Sequence, residues 1–436
     1  MFSALKLLRV AVLLTVLPIA NHATVFAAEI TLRVVPDQEN ALYQVGETAL
    51  LNVSVTDGDK QIITGVIDFK ADNFLETVSA KTGIKLAVNP VTIKLASDKP
   101  QFIRCYVTYT PAAGKPIMLT VAVGFSVTEI KPGLPVPNDF DAFWDKQRAE
   151  LAQVKMASTL TRVAYSDPEL ECFDVQVTCV APRPVSGYYA KQKAAAVKSS
   201  PAILWVHGAG VRSSSLGAAV TGARAGMLSM DINAHGIANG KPADFYKTQT
   251  SGPLKDYRFS GREDRDTIYF RHMYLRIVRA IDFLTAQPEW DGKNVIVIGH
   301  SQGGGQALVA GGIDDRVTVI ASGVPAICDH GGRETGQING WPKIVPYDAN
   351  GVANAKALQA SRYIDAVNFA SRFQGKAIMS VGFVDRTCPP SSCYAAFNVL
   401  DVKPGDKTML NEPLMGHAAP VHIKDAFFEF IKRSLK

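Results

Sequence analysis

The 436 residues contain six cysteines, none before Cys105, and no two of them stand as Cys-x-x-Cys. The eight histidines contain no His-x-x-x-His. The spacings that would seat a zinc ion are therefore missing. Removing Lys6 and Arg9 near the N-terminus takes the net charge from +6 to +4, and no Lys/Arg block remains. That argues against nucleic acid as a partner. No internal repeat recurs, so a propeller-fronted peptidase is disfavoured. No apolar run past the first thirty residues reaches membrane-spanning length, and the first 130 residues show no platform of aromatics for stacking on sugars.

The chain opens with Lys6 and Arg9, an apolar run from Val10 to Ala20, and the small-residue exit Val25-Phe26-Ala27 before Ala28-Glu29. This is the layout of a secretory leader over residues 1–27, too short in its apolar core to span a bilayer. The expected location is secreted or periplasmic, with no membrane attachment once the leader is cleaved. From residue 28 to 128, Ile30/Leu32/Val34, Ala49/Leu51/Val53/Val55, Ile103/Cys105/Val107/Tyr109 and Ile117/Leu119/Val121/Val123/Phe125 alternate with period two between turn residues. Several short alternating strands in so short a stretch predict an immunoglobulin-like β-sandwich. Asn52-Val53-Ser54 is a formal glycosylation sequon, but inside an alternating strand Asn52 reads as an ordinary surface residue.

Residues 129–137 include Pro132, Pro135 and Pro137 and predict a stiff linker. From 138 to 436 the text changes period. A helix is expected from about Asp139 to Lys155. Strands are expected over Phe173–Val180, Ala202–Val206, Met227–Ile232, Val295–Ile298, Val317–Ser322 and Ala377–Val381, with helical stretches between them such as Tyr274–Ala286. Strands alternating with helices predict a doubly wound, mainly parallel α/β sheet.

Within that pattern Gly299-His300-Ser301-Gln302-Gly303, followed by Gly304 and Gly305, joins an apolar strand to a helix. A Gly-x-Ser-x-Gly elbow between strand and helix holds a serine hydroxyl exposed at the top of an α/β-hydrolase sheet. In this fold the acid and then the histidine follow the serine. Only His330, His417 and His422 lie beyond Ser301. His417 follows Gly416 ahead of the last amphipathic stretch, Ile423–Ile431, where a base can reach back over the sheet, whereas His422 sits in that helix's first turn. Asp385 stands just past the strand Ala377–Val381, placed to orient an imidazole. Asp365, Asp401 and Asp406 are its competitors. An oxyanion hole would combine the N–H of Gln302 with that of Ala209, in His207-Gly208-Ala209-Gly210 after the strand Ile203–Val206. His207 itself reads as structural. Cys388 and Cys393 suit either a disulfide or two buried thiols.

From Pro137 onward the chain resembles the acetyl xylan esterase/cephalosporin-C deacetylase family of carbohydrate esterases. The matching pieces are Asp139-Phe140-Asp141-Ala142-Phe143-Trp144, Tyr269-Phe270-Arg271, Arg279–Leu284, Gly299–Gly305, Val324–Asp329, Tyr363–Asn368, and Ser380–Asp385 with Cys388-Pro389-Pro390. The resemblance implies an α/β-hydrolase with Ser301, Asp385 and His417 as triad, Ala209 and Gln302 as oxyanion donors, and no cofactor or metal. It implies an acylated carbohydrate as substrate, and it leaves room for an oligomer. Two positions depart from the family. Ala209 replaces the usual tyrosine after His-Gly, and Asp231-Ile232-Asn233-Ala234-His235-Gly236 stands where Asp-x-Arg-Gly-Gln-Gly is usual. The expected protein is an exported serine esterase removing acetyl groups. A broader carboxylesterase or feruloyl-type esterase and a non-catalytic carbohydrate-binding protein on the same fold are the alternatives.

Overall fold

The structure is a computed structural model that describes residues 30–180, 182–403 and 405–435. The leader expected over residues 1–27 lies outside the described residues. β1 (Ile30–Pro36), β2 (Leu42–Tyr43), β3 (Thr48–Asp57), β4 (Lys60–Gln61), β5 (Val66–Asp72), β6 (Thr77–Lys85), β7 (Val91–Ala96), β8 (Gln101–Thr110) and β9 (Ile117–Phe125) make two sheets. One runs β1-β3-β4, with β7 also on β3, and the other runs β2-β9-β8-β5-β6. Alternation places Ala49, Leu51, Val53 and Val55 of β3 inward, where they share a core with Ile103, Cys105, Val107 and Tyr109 of β8. The expected β-sandwich strands are present. Asn52 is partly buried and accepts a hydrogen bond from Thr92 Oγ1 at 3.0 Å, so it is tied into the sheet.

The remainder is α/β. α1 (Phe140–Gln153) leads to β10 (Ser158–Arg162), β11 (Leu170–Val177), β12 (Val185–Gln192), β13 (Ser200–Val206), α2 (Leu216–Arg224), β14 (Leu228–Ile232), α3 (Ala243–Ser251), α4 (Tyr269–Thr285) and β15 (Trp290–His300). Then follow α5 (Gln302–Ile313), β16 (Val319–Gly323), α6 (Ala355–Ser361), α7 (Ala366–Ala370), β17 (Lys376–Gly382), α8 (Pro390–Asn398), β18 (Lys407–Glu412) and α9 (Val421–Ser434). The nine-stranded sheet has the order β10-β11-β12-β14-β13-β15-β16-β17-β18. It is antiparallel from β10 to β14 and parallel from β14 to β18. Its central strands are buried on both faces, as parallel strands covered by helices must be. Val206, Val295 and Val297 pack into the large core with α4 and α5, while Ile203, Ile296 and Ile298 face Ile423, Phe427 and Ile431 of α9.

The two regions are fastened together. Phe102 of β8 packs edge-on against Phe383, ring centroids 4.9 Å apart, and lies 5.5 Å from Tyr394. The N–H of Ala122 donates to Pro413 O at 3.1 Å. The proline-rich stretch is strapped down as well. Gly133 N donates to Asp329 Oδ1 at 2.8 Å, and the Arg362 guanidinium donates to Pro135 O at 2.8 Å. A Cβ on Gly133 would stand 2.1 Å from Gly331 O, so only glycine fits this crossing.

Candidate active site

β15 delivers Ser301 to the carboxyl edge of the sheet, and α5 starts at the next residue. Ser301 holds φ 60° and ψ −122°, a conformation sparsely populated by residues with a side chain. The turn is tight enough that a Cβ on Gly303 would fall 2.0 Å from Val206 O, and one on Gly299 would fall 2.3 Å from Gly303 O. Ser301 is locked by its neighbours: its N–H donates to Gly323 O, and its carbonyl accepts from Gly305 and Ala326.

The loop between β18 and α9 brings His417 over this elbow. Its Nε2 lies 2.9 Å from Ser301 Oγ and its Nδ1 lies 2.7 Å from Asp385 Oδ2. Asp385 is fully buried, and its other oxygen accepts from the N–H groups of Thr387 and Cys388. With its lone pairs so occupied, the carboxylate fixes the ring with Nδ1 protonated and leaves Nε2 bare toward the serine. The acid and histidine loops are knitted together: Phe383 N donates to Glu412 O and Val384 N to Met415 O.

The other sequence candidates fall elsewhere. His422 pairs with Glu412 at 2.7 Å on the surface. His330 is buried, with both ring nitrogens unpartnered among the described residues. Asp365 caps α7 and accepts from the N–H groups of Asp329, His330 and Val367. Neither Asp401 nor Asp406 takes part in a side-chain hydrogen bond to His417 among the described residues.

The loop 207–210 reaches beside Ser301, since a Cβ on Gly208 would sit 3.5 Å from Ser301 Cβ. The N–H groups of Ala209 and Gln302 donate to no other group among the described residues, leaving two donors at the elbow. A set of buried groups that periodicity gives no hint of holds this loop. Ala234 N donates to His207 Nε2 at 3.1 Å, so Nδ1 carries the proton and donates to Gly208 O at 2.6 Å. His235 Nε2 lies 3.3 Å from Gly210 O, its Nδ1 lies 2.8 Å from Tyr269 Oη, and Tyr257 Oη donates to Gln302 Oε1 at 2.6 Å. Burial pushes His207 down to about 4 and His235 to about 3, which keeps both rings neutral braces. His207 is structural, as the sequence suggests. Asn233 and His235, in the turn that departs from the family, clamp Arg212 O and Gly210 O.

Among the described residues, Asp385, Cys388 and His417 offer donor atoms within 4.8 Å of one another. A metal there would have to displace the Asp385–His417 hydrogen bond, and burial pushes the Cys388 thiol well above its usual range, away from the thiolate that ligates. Asp385 and His417 are already committed to each other through that hydrogen bond. Cys388 and Cys393 are both buried free thiols, which decides between the two alternatives for the pair.

A mixed sheet turning parallel at its centre, with a serine elbow at its carboxyl edge, defines an α/β-hydrolase, and the protein is a carboxylic ester hydrolase. It belongs to the acetyl xylan esterase family, whose profile (AXE1) matches residues 125–434. The chain is similar to the acetyl esterase Axe7A of Xylanibacter ruminicola, with 30% identity over 374 residues, covering 84% of this chain and 82% of that one. Among solved structures, an acetyl xylan esterase from Paenibacillus sp. R4 superposes with a TM-score of 0.61 at 26% identity, over 71% of this chain and 98% of that one. Acetyl xylan esterase 1 from Thermoanaerobacterium sp. JW/SL YS485 shares the fold, with a TM-score of 0.59 and 24% identity over 71% of this chain and 98% of that one.

Proposed function

We propose that the chain is an exported serine esterase that removes acetyl groups from acylated carbohydrates such as acetylated xylan or xylo-oligosaccharides. Residues 1–27 are its leader, 28–128 a β-sandwich, 129–137 a proline-rich connection and 138–436 the catalytic domain. His417 takes the proton of Ser301, Asp385 stabilises the imidazolium, and Ser301 Oγ attacks the ester carbonyl. The N–H groups of Ala209 and Gln302 hold the oxyanion. The alcohol leaves with the proton from His417, and water, activated in the same way, releases acetate from the acyl-enzyme. The observation that carries this reading is the continuous Ser301–His417–Asp385 hydrogen-bond chain, at 2.9 and 2.7 Å. Membership of the family supports the acetylated sugar as substrate.

Ser301→Ala is expected to lower ester turnover by about 10⁴-fold or more without unfolding the protein. The test is a panel of p-nitrophenyl acyl esters and acetylated xylo-oligosaccharides; turnover retained within about tenfold of wild type would remove Ser301 from the mechanism. The same panel bears on a broader carboxylesterase, the reading favoured by Ala209 in place of a tyrosine. Acetyl esters are expected to lead in kcat/KM, and feruloyl or octanoyl esters outrunning acetyl would make the chain a broad esterase.

A further inference from the structure

Arg212 lies beside the nucleophile. A methyl group on Gly208 would stand 3.5 Å from Ser301 Cβ and 3.7 Å from Arg212 Nη2, so the guanidinium is about one side chain's width from the serine. It is exposed, and its hydrogen bonds run to the backbone carbonyls of Gly208 and Ala209, at 3.2 and 3.5 Å. Those contacts leave N–H donors of the planar fork turned to solvent.

Further cations stand near residues that flank the elbow. Lys424, exposed on the first turns of α9, lines a 250 Å³ cavity together with Gly208, Gly299 and His300. Arg386 is exposed and directly follows Asp385, and Lys343 lies within electrostatic reach of Asp385 and Cys388. Among the described residues none of these four forms an ion pair, although Arg162, Lys191, Arg224, Arg265, Arg316 and Arg372 all do. Two carboxyls belong to these walls. Asp385 is buried and spent on His417 and two N–H groups; Asp231 is buried, accepts from Ser215 N, and is pushed up to about 7 by burial. The other acids of these same segments are Glu412, paired with His422, and Asp425, next to Lys424 on α9; no carboxylate forms an ion pair with Arg212 among the described residues, and a free guanidinium there concentrates anions and rewards their binding.

We propose that the site selects acetylated oligosaccharides bearing an anionic group, a uronic carboxylate or a sulfate, which Arg212 holds beside the ester under attack. This rests on Ser301 being the nucleophile of a carbohydrate deacetylase. A carboxylate or sulfate offers paired oxygens to the planar fork of an arginine, whereas lysine meets them as a point charge.

The experiment compares kcat/KM of the full chain on acetylated xylotetraose, on the same oligosaccharide carrying a glucuronic acid branch, and on a sulfated counterpart. p-Nitrophenyl acetate serves as the small neutral ester. At low salt an anionic oligosaccharide is expected to exceed the neutral one by about tenfold, with the advantage shrinking in about 0.5 M NaCl as the charges are screened. The ratio of anionic to neutral substrate, not either rate alone, is the readout. Arg212→Gln should bring that ratio close to one and Arg212→Lys should retain part of it. The uronic and sulfate arms identify which anion is preferred. Equal rates on charged and neutral oligosaccharides, or a ratio that Arg212→Gln leaves unchanged, would overturn the inference while leaving the deacetylase intact. Turnover of p-nitrophenyl acetate with none of the oligosaccharides would instead overturn the carbohydrate reading, and this inference with it.

Discussion

The β-rich region and the α/β region satisfy their polar groups to different degrees. In residues 30–128 the one buried side-chain atom without a partner is Asn89 Oδ1, among the described residues, and the buried Arg104 is matched by a forked pair of hydrogen bonds to Asp72. Around the serine elbow the situation reverses. Gln302 Nε2, Gln306 Oε1, Asp329 Oδ2, Ser380 Oγ and both nitrogens of His330 are buried without partners among the described residues; Ser301, Val324, Ile327 and Asp329 hold positive φ, as Ala41, Phe74 and Ser126 do in the β-rich region. Strain and unpaired polar atoms each cost stability and persist where the surrounding structure over-determines them. What separates the regions is the unpaired buried polar atoms, which gather around the elbow of the hydrolase.

The sharpest way to break this contrast is Ser301→Gly, which removes the hydroxyl and suits the same φ. It is expected to lower turnover by about 10⁴-fold while raising stability by about 1 kcal/mol, through relief of backbone strain. Thermal unfolding alongside kinetics checks both; a lowered Tm would mean that the elbow is not strained. Next in size is Phe102→Ala in the quieter region. Loss of a fully buried ring should cost about 3 kcal/mol, and because Phe102 packs on Phe383, two residues before Asp385, kcat should fall about tenfold with KM little changed. Phe102→Leu should recover most of the kcat. If Phe102→Ala loses stability but keeps its kcat, the β-rich region supports the fold alone.

Acid should separate the two regions by a smaller margin. Every histidine among the described residues belongs to the hydrolase. Burial drives His207, His272 and His300 down to about 4, His235 to about 3, and His330 below its usual value. Groups with depressed values bind fewer protons folded than unfolded, so their contribution to stability is lost as pH falls from about 6.5 toward 4. Asp231 and Asp329, raised to about 7 by burial, act in the opposite sense across the same window, stabilising at low pH and losing that contribution as pH rises toward 7. Five groups against two predict a Tm lower by several degrees at pH 5 than at pH 7, with amide exchange quickening in residues 138–436 before 30–128. Equal quickening in both regions would contradict the assignment to buried histidines.

Much of this was legible in the sequence because it rests on local rules. The elbow needs glycines wherever a Cβ would strike a carbonyl, and the strand, elbow and helix around Ser301 announce themselves by period. Asp385 and His417, which the structure brings within hydrogen-bond reach of each other and of Ser301, could be picked out because this fold orders acid and then histidine after the serine. β10 and β18 escaped notice because edge strands lack a buried face: Ser158–Arg162 is exposed throughout and Lys407–Glu412 is intermediate throughout. β7 was missed although Val91, Ile93 and Leu95 alternate cleanly, since the run is short and lies between turns. Tyr257, Arg212 and the role of His235 were illegible for another reason. Arg212 follows the loop 207–210 by two residues, whereas Tyr257 and His235 come to the elbow and this loop from separate segments, and only the folded chain shows what each of them touches. The proline-rich stretch read as a spacer because nothing local reveals that Asp329 and Arg362 seize its backbone.

The contact of Phe102 with Phe383 and Tyr394, and of Ala122 with Pro413, also has a temporal side. Strands β8 and β9 are synthesised early, yet their partners lie in the final stretch of the chain. Contacts so distant in sequence close slowly, and until they close the apolar flank at Phe102 stands uncovered. A ribosome that stalls late, or a protease that trims the C-terminus, would release a chain whose first region is folded and whose adhesive side is bare. Completion of the last strand and helix does more than bring the histidine to the serine: it covers the surface through which an unfinished copy would stick to its neighbours.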